Sequence, residues 1–144
     1  MRIKKLYLAG SIEGLSYEEA TDMRNKATDL LSDIGIQALD PMRNKDALKG
    51  AKSIGHDKKS GYEMQEIIAR DITDIREADG IIVLSGDHPS WGTAMEFSFT
   101  YFVERKPVFM ISKDKSRYGW AGFLATKICS SLEELRDYLR DYWR

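Results

Sequence analysis

The sequence predicts an α/β protein: a parallel, doubly wound sheet of five strands with helices on both faces, forming a single domain over residues 1–144. Three observations predict it. Short β-like runs alternate with helical stretches along the chain, and such alternation implies parallel strands joined by crossovers. Two of the runs, 80–85 (GIIVLS) and 107–112 (PVFMIS), are continuously apolar, as strands are when both sheet faces are covered. A chain of 144 residues, 42% of them hydrophobic, fills one core. Right-handed crossovers leave few topologies, and five short strands fit the flavodoxin-like order 2-1-3-4-5.

Each element has its own local reason. Residues 3–9 form a short strand running into Gly10. A helix follows, with Ser16 as N-cap and Glu19 at the capping-box position. Ala20, Met23, Ala27, Leu30 and Leu31 recur on one stripe, and Gly35 stops the helix. A second strand, 36–39, ends at Asp40-Pro41. Residues 42–61 are rich in Lys and Gly, lack periodicity, and read equally as a solvated insertion or a substrate lid. A second helix, 62–78, presents Met64, Ile67, Ile68, Ile72 and Ile75 on its apolar side. The third strand leads through a loop, 86–92, to a helix over 93–104, and the fourth strand leads to a loop over 116–122. Residues 127–129 form a last strand, and Ser131 with Glu134 boxes the start of a final helix.

Composition narrows the function classes. Lys plus Arg number 22 and Asp plus Glu 23, so the net charge of −1 gives no global attraction to nucleic acid or an anionic membrane. The Lys-rich stretch 45–59 is the one candidate basic face, and Asp46 and Asp57 interrupt it. Cys129 is the single cysteine, which excludes an internal disulfide and fits a reducing compartment. No apolar run approaches the roughly 18 to 20 residues that span a bilayer. The start, MRIKKLYLAGS, is basic and then apolar, but residues 6–9 are shorter than a signal h-region of about 7 residues. A soluble, cytoplasmic protein is expected, without nucleic-acid or membrane partners.

In sheets of this kind ligands bind beyond the carboxyl ends of the strands, so the loops there carry the chemistry. The first, Gly10-Ser11-Ile12-Glu13-Gly14, lets backbone amides approach a phosphate or sugar, and a plain tight turn explains it equally. It matches neither a P-loop nor a GxGxxG fingerprint. Asp71 and Asp74 are i,i+3 neighbours on the second helix, and for Asp74 a solvated face is the expectation. Asp79, just before the third strand, reads as a capping or turn residue. Glu96 lies early in a helix leaving the central strand, among Ala94, Met95, Phe97 and Phe99. A carboxylate in apolar company at a switch point is a candidate nucleophile or base, whereas a first-turn glutamate can simply favour the helix dipole. Trp91 and Trp120 fall in loops at the same edge and suit either base stacking or ordinary packing. His56 and His88 lie in loops, no HxxxH, CxxC or GxSxG spacing occurs, and no metal or organic cofactor is expected.

Taken together, several pieces resemble the nucleoside 2-deoxyribosyltransferase family and its relatives, the 2′-deoxynucleoside 5′-monophosphate N-glycosidases. They are Tyr7-Leu-Ala-Gly-Ser-Ile, Ala69-Arg70-Asp71-Ile72, Ala78-Asp79, Pro89-Ser90-Trp91-Gly92-Thr93-Ala94-Met95-Glu96, and Lys106-Pro107-Val108, in the family's order over about residues 3–111. The resemblance implies scission of an N-glycosidic bond through an oxocarbenium-like transition state. It implies that Glu96 attacks C1′, that Asp71 contacts the base and helps protonate the leaving nitrogen, and that Tyr7 orients Glu96. It implies substrate contacts at Gly10, Ser11, Ile12, Gly14, Asp40, Ser90, Trp91 and Gly92, with a small-molecule deoxynucleoside or deoxynucleotide and a purine or pyrimidine base as partners. It also implies a homo-oligomer with sites shared between subunits, for which residues 116–122 are a candidate contributor. Two departures pull in opposite directions. Where the transferases carry an extra Asp before the motif glycine, this chain has Ser90-Trp91; a serine there binds the 5′-phosphate in the glycosidases. Where the glycosidases carry Arg in the first loop, this chain has Glu13, which repels phosphate. Transfer between nucleosides is the preferred expectation, with monophosphate hydrolysis and a non-catalytic nucleotide-binding module as alternatives.

Overall fold

The computed structural model describes residues 2–10, 17–42, 64–84, 90–113 and 119–143. The elements are β1 (Lys5–Ala9), α1 (Tyr17–Ser32), β2 (Gln37–Leu39), α2 (Met64–Glu77), β3 (Gly80–Val83), α3 (Trp91–Ser98), β4 (Val108–Ile111), α4 (Gly119–Leu124), β5 (Lys127–Cys129) and α5 (Leu132–Tyr142). The strands form one sheet in the order β2-β1-β3-β4-β5, every neighbouring pair parallel, as the alternation predicts. Register is fixed by pairs such as Tyr7 with Ile81 and Ala9 with Val83.

Strand side chains alternate between faces, so the central strands feed two apolar layers. Leu6, Leu8, Ile82, Phe109 and Ile111 pack with Ala27 and Leu31 of α1 and Leu132, Leu135 and Leu139 of α5. Tyr7, Ala9, Ile81, Val83, Val108 and Met110 pack with Ile75 of α2 and Phe97 of α3. At Gly80 an added Cβ lies 2.6 Å from the Pro107 carbonyl oxygen, which itself accepts from Ile81 N at 3.1 Å; only glycine lets β3 start so close to the residue before β4. Gly35, at φ +75°, ends α1 as expected. Ile36 N donates to Leu31 O at 2.9 Å and Gly35 N to Ser32 O at 3.0 Å, a Schellman closure with Ile36 and Leu31 both in the core.

Several expectations need correction. The buried residues of α1 are Ala20, Thr21, Arg24, Ala27 and Leu31, with Met23 turned outward at 39% exposure; a cation holds the place given to the methionine. Ile68, placed on the apolar side of α2, is half exposed, and Asp74, expected on a solvated face, is buried. Helix α3 begins at Trp91 rather than Thr93, because Ser90 is the N-cap and its Oγ accepts from Thr93 N at 3.2 Å. The helix then widens into a π-helical turn over Phe99–Val103, closed by Glu104 N donating to Phe99 O. Residues 119–124 of the expected loop 116–122 and just beyond it are the helix α4. Ser131 does cap α5, accepting from Glu134 N at 3.1 Å, but the Glu134 carboxylate accepts from Ser130 N and Oγ, one residue earlier than a capping box requires. Asp79 serves the start of β1, accepting from Lys4 N and Lys5 N at 2.7 and 3.0 Å. Ser16, the Glu19 side chain, His56, His88 and all of the 42–61 segment after Met42 lie outside the described residues.

Candidate active site

β1 and β3 are neighbours, and the chain leaves β1 toward β2 on one side and β3 toward β4 on the other. Their carboxyl ends are therefore the switch point of the sheet. Three sequence-predicted residues from three elements converge there. Tyr7 comes from β1, Asp71 from the middle of α2 and Glu96 from α3.

Tyr7 is fully buried. Burial pushes its phenol well above the usual tyrosine range, and the Glu96 and Asp71 carboxylates push it further. The Glu96 side chain is its hydrogen-bonding neighbour, and a neutral phenol donates to a carboxylate. Glu96 and Asp71 are each half-buried. The Glu96 backbone is fixed as well, since its carbonyl accepts from Thr100 Oγ1 at 2.7 Å across the start of the π-helical turn.

The sequence reading missed a fourth member, Arg24, which is 3% exposed. Its guanidinium donates from Nη1 to Ala20 O and from Nη2 to Gly10 O, both at 3.1 Å, and its Nε lies 3.4 Å from Asp40 Oδ1. Burial works against its charge; Asp40, then Tyr7, Glu96 and Asp71, work for it. The available signal was its phase: Arg24 falls in register with Ala20, Ala27 and Leu31, and small alanines on either side leave room for a long side chain to lie inward.

The other expected contacts are placed as follows. Gly10 is buried at the end of β1. Asp40 follows β2, and its Oδ1 also accepts from Met42 N at 2.8 Å, forming an Asx turn. Ser90 Oγ is shared between Thr93 N and Thr93 Oγ1, the latter at 3.0 Å. Trp91 is 85% exposed on the first turn of α3, and Gly92 is exposed beside it. Ser11, Ile12 and Gly14 lie outside the described residues. Trp120 is 82% exposed on α4. Two carboxylates from helices on the same face of the sheet, with a buried neutral phenol near both, can divide nucleophile and acid roles when their surroundings separate their proton affinities.

Residues 6–136 match the family model for nucleoside 2-deoxyribosyltransferases. The chain belongs to the nucleoside 2-deoxyribosyltransferase family. Solved structures of the same fold include a 2-deoxyribosyltransferase of Bacillus psychrosaccharolyticus, 20% identical, with TM-score 0.67 over 93% of this chain and 91% of that one. A 2-deoxyribosyltransferase of Leishmania mexicana is 18% identical, with TM-score 0.70 over 96% and 98%. The CMP N-glycosidase BcmB of Clostridium botulinum is 16% identical, with TM-score 0.62 over 96% and 99%. No curated protein sequence is a significant match. Family membership supports an enzyme that transfers or hydrolyses N-glycosyl bonds. Among the described residues, no helix is long and apolar enough to cross a membrane.

Proposed function

We propose that this member of the nucleoside 2-deoxyribosyltransferase family transfers 2-deoxyribose from one base to another. Glu96 attacks C1′ of a 2′-deoxynucleoside, the C1′–N bond breaks, and Asp71 helps deliver a proton to the departing nitrogen. The sugar is left as a deoxyribosyl ester of Glu96, which a second base opens by attack at C1′. Tyr7 donates toward Glu96 and keeps it oriented. The observation that carries this reading is the convergence of Tyr7, Asp71 and Glu96 from three separate elements at the switch point. A homo-oligomer with shared sites belongs to the same proposal. Trp91 and Met95, one turn apart on the helix that holds Glu96, are 85% and 66% exposed, and Phe123 on α4 is 92% exposed; apolar side chains so placed suit cover by another subunit.

A second reading, hydrolysis of a deoxynucleoside 5′-monophosphate, is favoured by Ser90. Its hydroxyl and the first-turn N–H groups of α3 stand where an anion is stabilised.

The test is chromatographic. Wild type and Glu96→Ala are incubated with deoxyinosine or a deoxynucleoside monophosphate, with and without free adenine. New deoxyadenosine from wild type alone supports transfer and the role of Glu96. Free base without exchange selects hydrolysis, and dependence on phosphate selects the second reading. No turnover of any deoxyriboside, or turnover unchanged in the variant, overturns the mechanism and leaves a nucleotide-binding module.

A further inference from the structure

We propose that Arg24 is a positioning residue of the site, a buried cation whose guanidinium ties together the two loop bases that frame Glu96. Nothing about α1 as a packing element asks for it. Its neighbours in the stripe are Ala20, Ala27 and Leu31, and an apolar side chain there extends the core without the desolvation of a guanidinium. A buried charge is retained where its partners require it, and those of Arg24 come from four other places. Asp40 follows β2, Tyr7 lies on β1, Asp71 on α2 and Glu96 on α3, and each of them favours the charged guanidinium. Electrostatic interaction is mutual, so Arg24 favours the ionised form that Glu96 needs as nucleophile.

The fork has a geometric task as well. Nη2 holds the carbonyl of Gly10, where the first loop departs, and Nε faces Asp40, whose Oδ1 also holds Met42 N. One rigid group thus sets the ends of β1 and β2 against each other. Lysine can supply the charge but not the planar, multiply bonded fork.

The kinetic part of this inference rests on the glycosyl-transfer reading; the titration part does not. The first experiment is therefore a carboxyl ¹³C NMR titration of the unliganded protein, as wild type, Arg24→Gln and Arg24→Lys. In Arg24→Gln the Glu96 signal is expected to titrate about one pH unit higher, and in Arg24→Lys close to wild type. In the enzyme assay the acid limb of kcat/KM moves up with Glu96 in Arg24→Gln. Arg24→Lys keeps the limb but raises KM, because the loop bases lose their tie. A folded Arg24→Gln whose carboxyl titrations coincide with wild type overturns the proposal. Should Arg24→Gln fail to fold, Asp40→Asn is compared with Asp40→Asn/Arg24→Met, in which no buried counter-charge is stranded. A higher Glu96 titration in the double variant supports the proposal, and identical titrations overturn it. Absence of turnover in wild type counts against the transfer reading alone, because the titrations need no substrate.

Discussion

The layer between the sheet and α1–α5 differs in kind from the layer between the sheet and α2–α3, although the same strands supply both. On the first side Leu6, Leu8, Ile82 and Phe109 meet Leu31, Leu135 and Leu139, and the cluster is apolar throughout. On the second, Tyr7 stands among Ile75, Ile81, Val83 and Phe97 while Asp71, Asp74 and Glu96 are wholly or partly withdrawn from water on α2 and α3. A period of two lets one strand point a leucine into packing and, one residue later, a tyrosine into a polar cluster. Apolar packing and the proposed chemistry thereby fall on opposite faces, and Arg24, from α1, bonds the Gly10 carbonyl just past the end of β1.

The largest expected difference between the layers is thermodynamic. Leu135 is 1% exposed in the apolar layer, and Leu135→Ala is expected to cost about 2–5 kcal/mol, lost transfer energy plus a cavity. Denaturant midpoints measure it directly. Turnover by the folded fraction stays at the wild-type level. Glu96→Gln, close in shape, is expected to do the reverse: its midpoint stays near wild type while turnover is lost, as the proposed role of Glu96 requires. A Leu135→Ala protein that remains stable but turns over poorly breaks the division.

How much of this was legible in the sequence depended on whether the signal was local. Strand order, the Gly35 stop, the Ser131 cap and the 127–129 strand follow from periodicity and turn chemistry, which are short-range. Glu96 was legible as a candidate from its place early in the helix that leaves the central strand, whereas the roles of Tyr7 and Asp71 came from the motifs that carry the family resemblance. Arg24 was not, because a charge in an apolar stripe is read as an interruption until its partners are known, and they lie on β1, α2, α3 and after β2. Asp74 failed for the same reason, its burial being set by packing rather than by its own helix. The early start of α3 turned on one hydroxyl, Ser90 Oγ, which outweighed Gly92 as a loop signal. The helix over residues 119–124 was hidden because GWAGFL carries two glycines, and its exposed Trp120 and Phe123 give no core-facing stripe.

Tyr7 offers a smaller effect, confined to alkaline pH. An unfolded tyrosine ionises near pH 10, whereas burial and two carboxylates hold the Tyr7 phenol neutral well above that. Above about pH 10 the unfolded chain releases a proton that the folded chain keeps, so unfolding becomes easier as pH rises. Below that pH the phenol adds no slope. Tyr7→Phe is expected to flatten the alkaline fall in unfolding free energy while leaving its pH dependence from 7 to 9 unchanged. Equal slopes in the two proteins between pH 10 and 11 show that Tyr7 is not protected as its surroundings dictate. The layer is then wetter than its burial implies.

The smallest effect belongs to the outside of the apolar layer, where Lys26 of α1 meets Glu133 of α5 at 2.7 Å. The hydrogen bond from Lys26, aided by the Glu133 backbone amide, holds the Glu133 carboxyl below the usual carboxylate range. A carboxylate so lowered contributes stability above its unfolded pKa and loses it as pH falls through the folded one. Both side chains are about half exposed, 54% and 46%, so water and salt screen the pair. Lys26→Ala is expected to leave the melting temperature almost unmoved at neutral pH, and any difference from wild type should disappear at high salt or in acid. If Lys26→Ala instead destabilises as much as Leu135→Ala, α1 and α5 are held by charge rather than by their buried leucines. The contrast between an apolar face and a chemical face then fails at its simpler end.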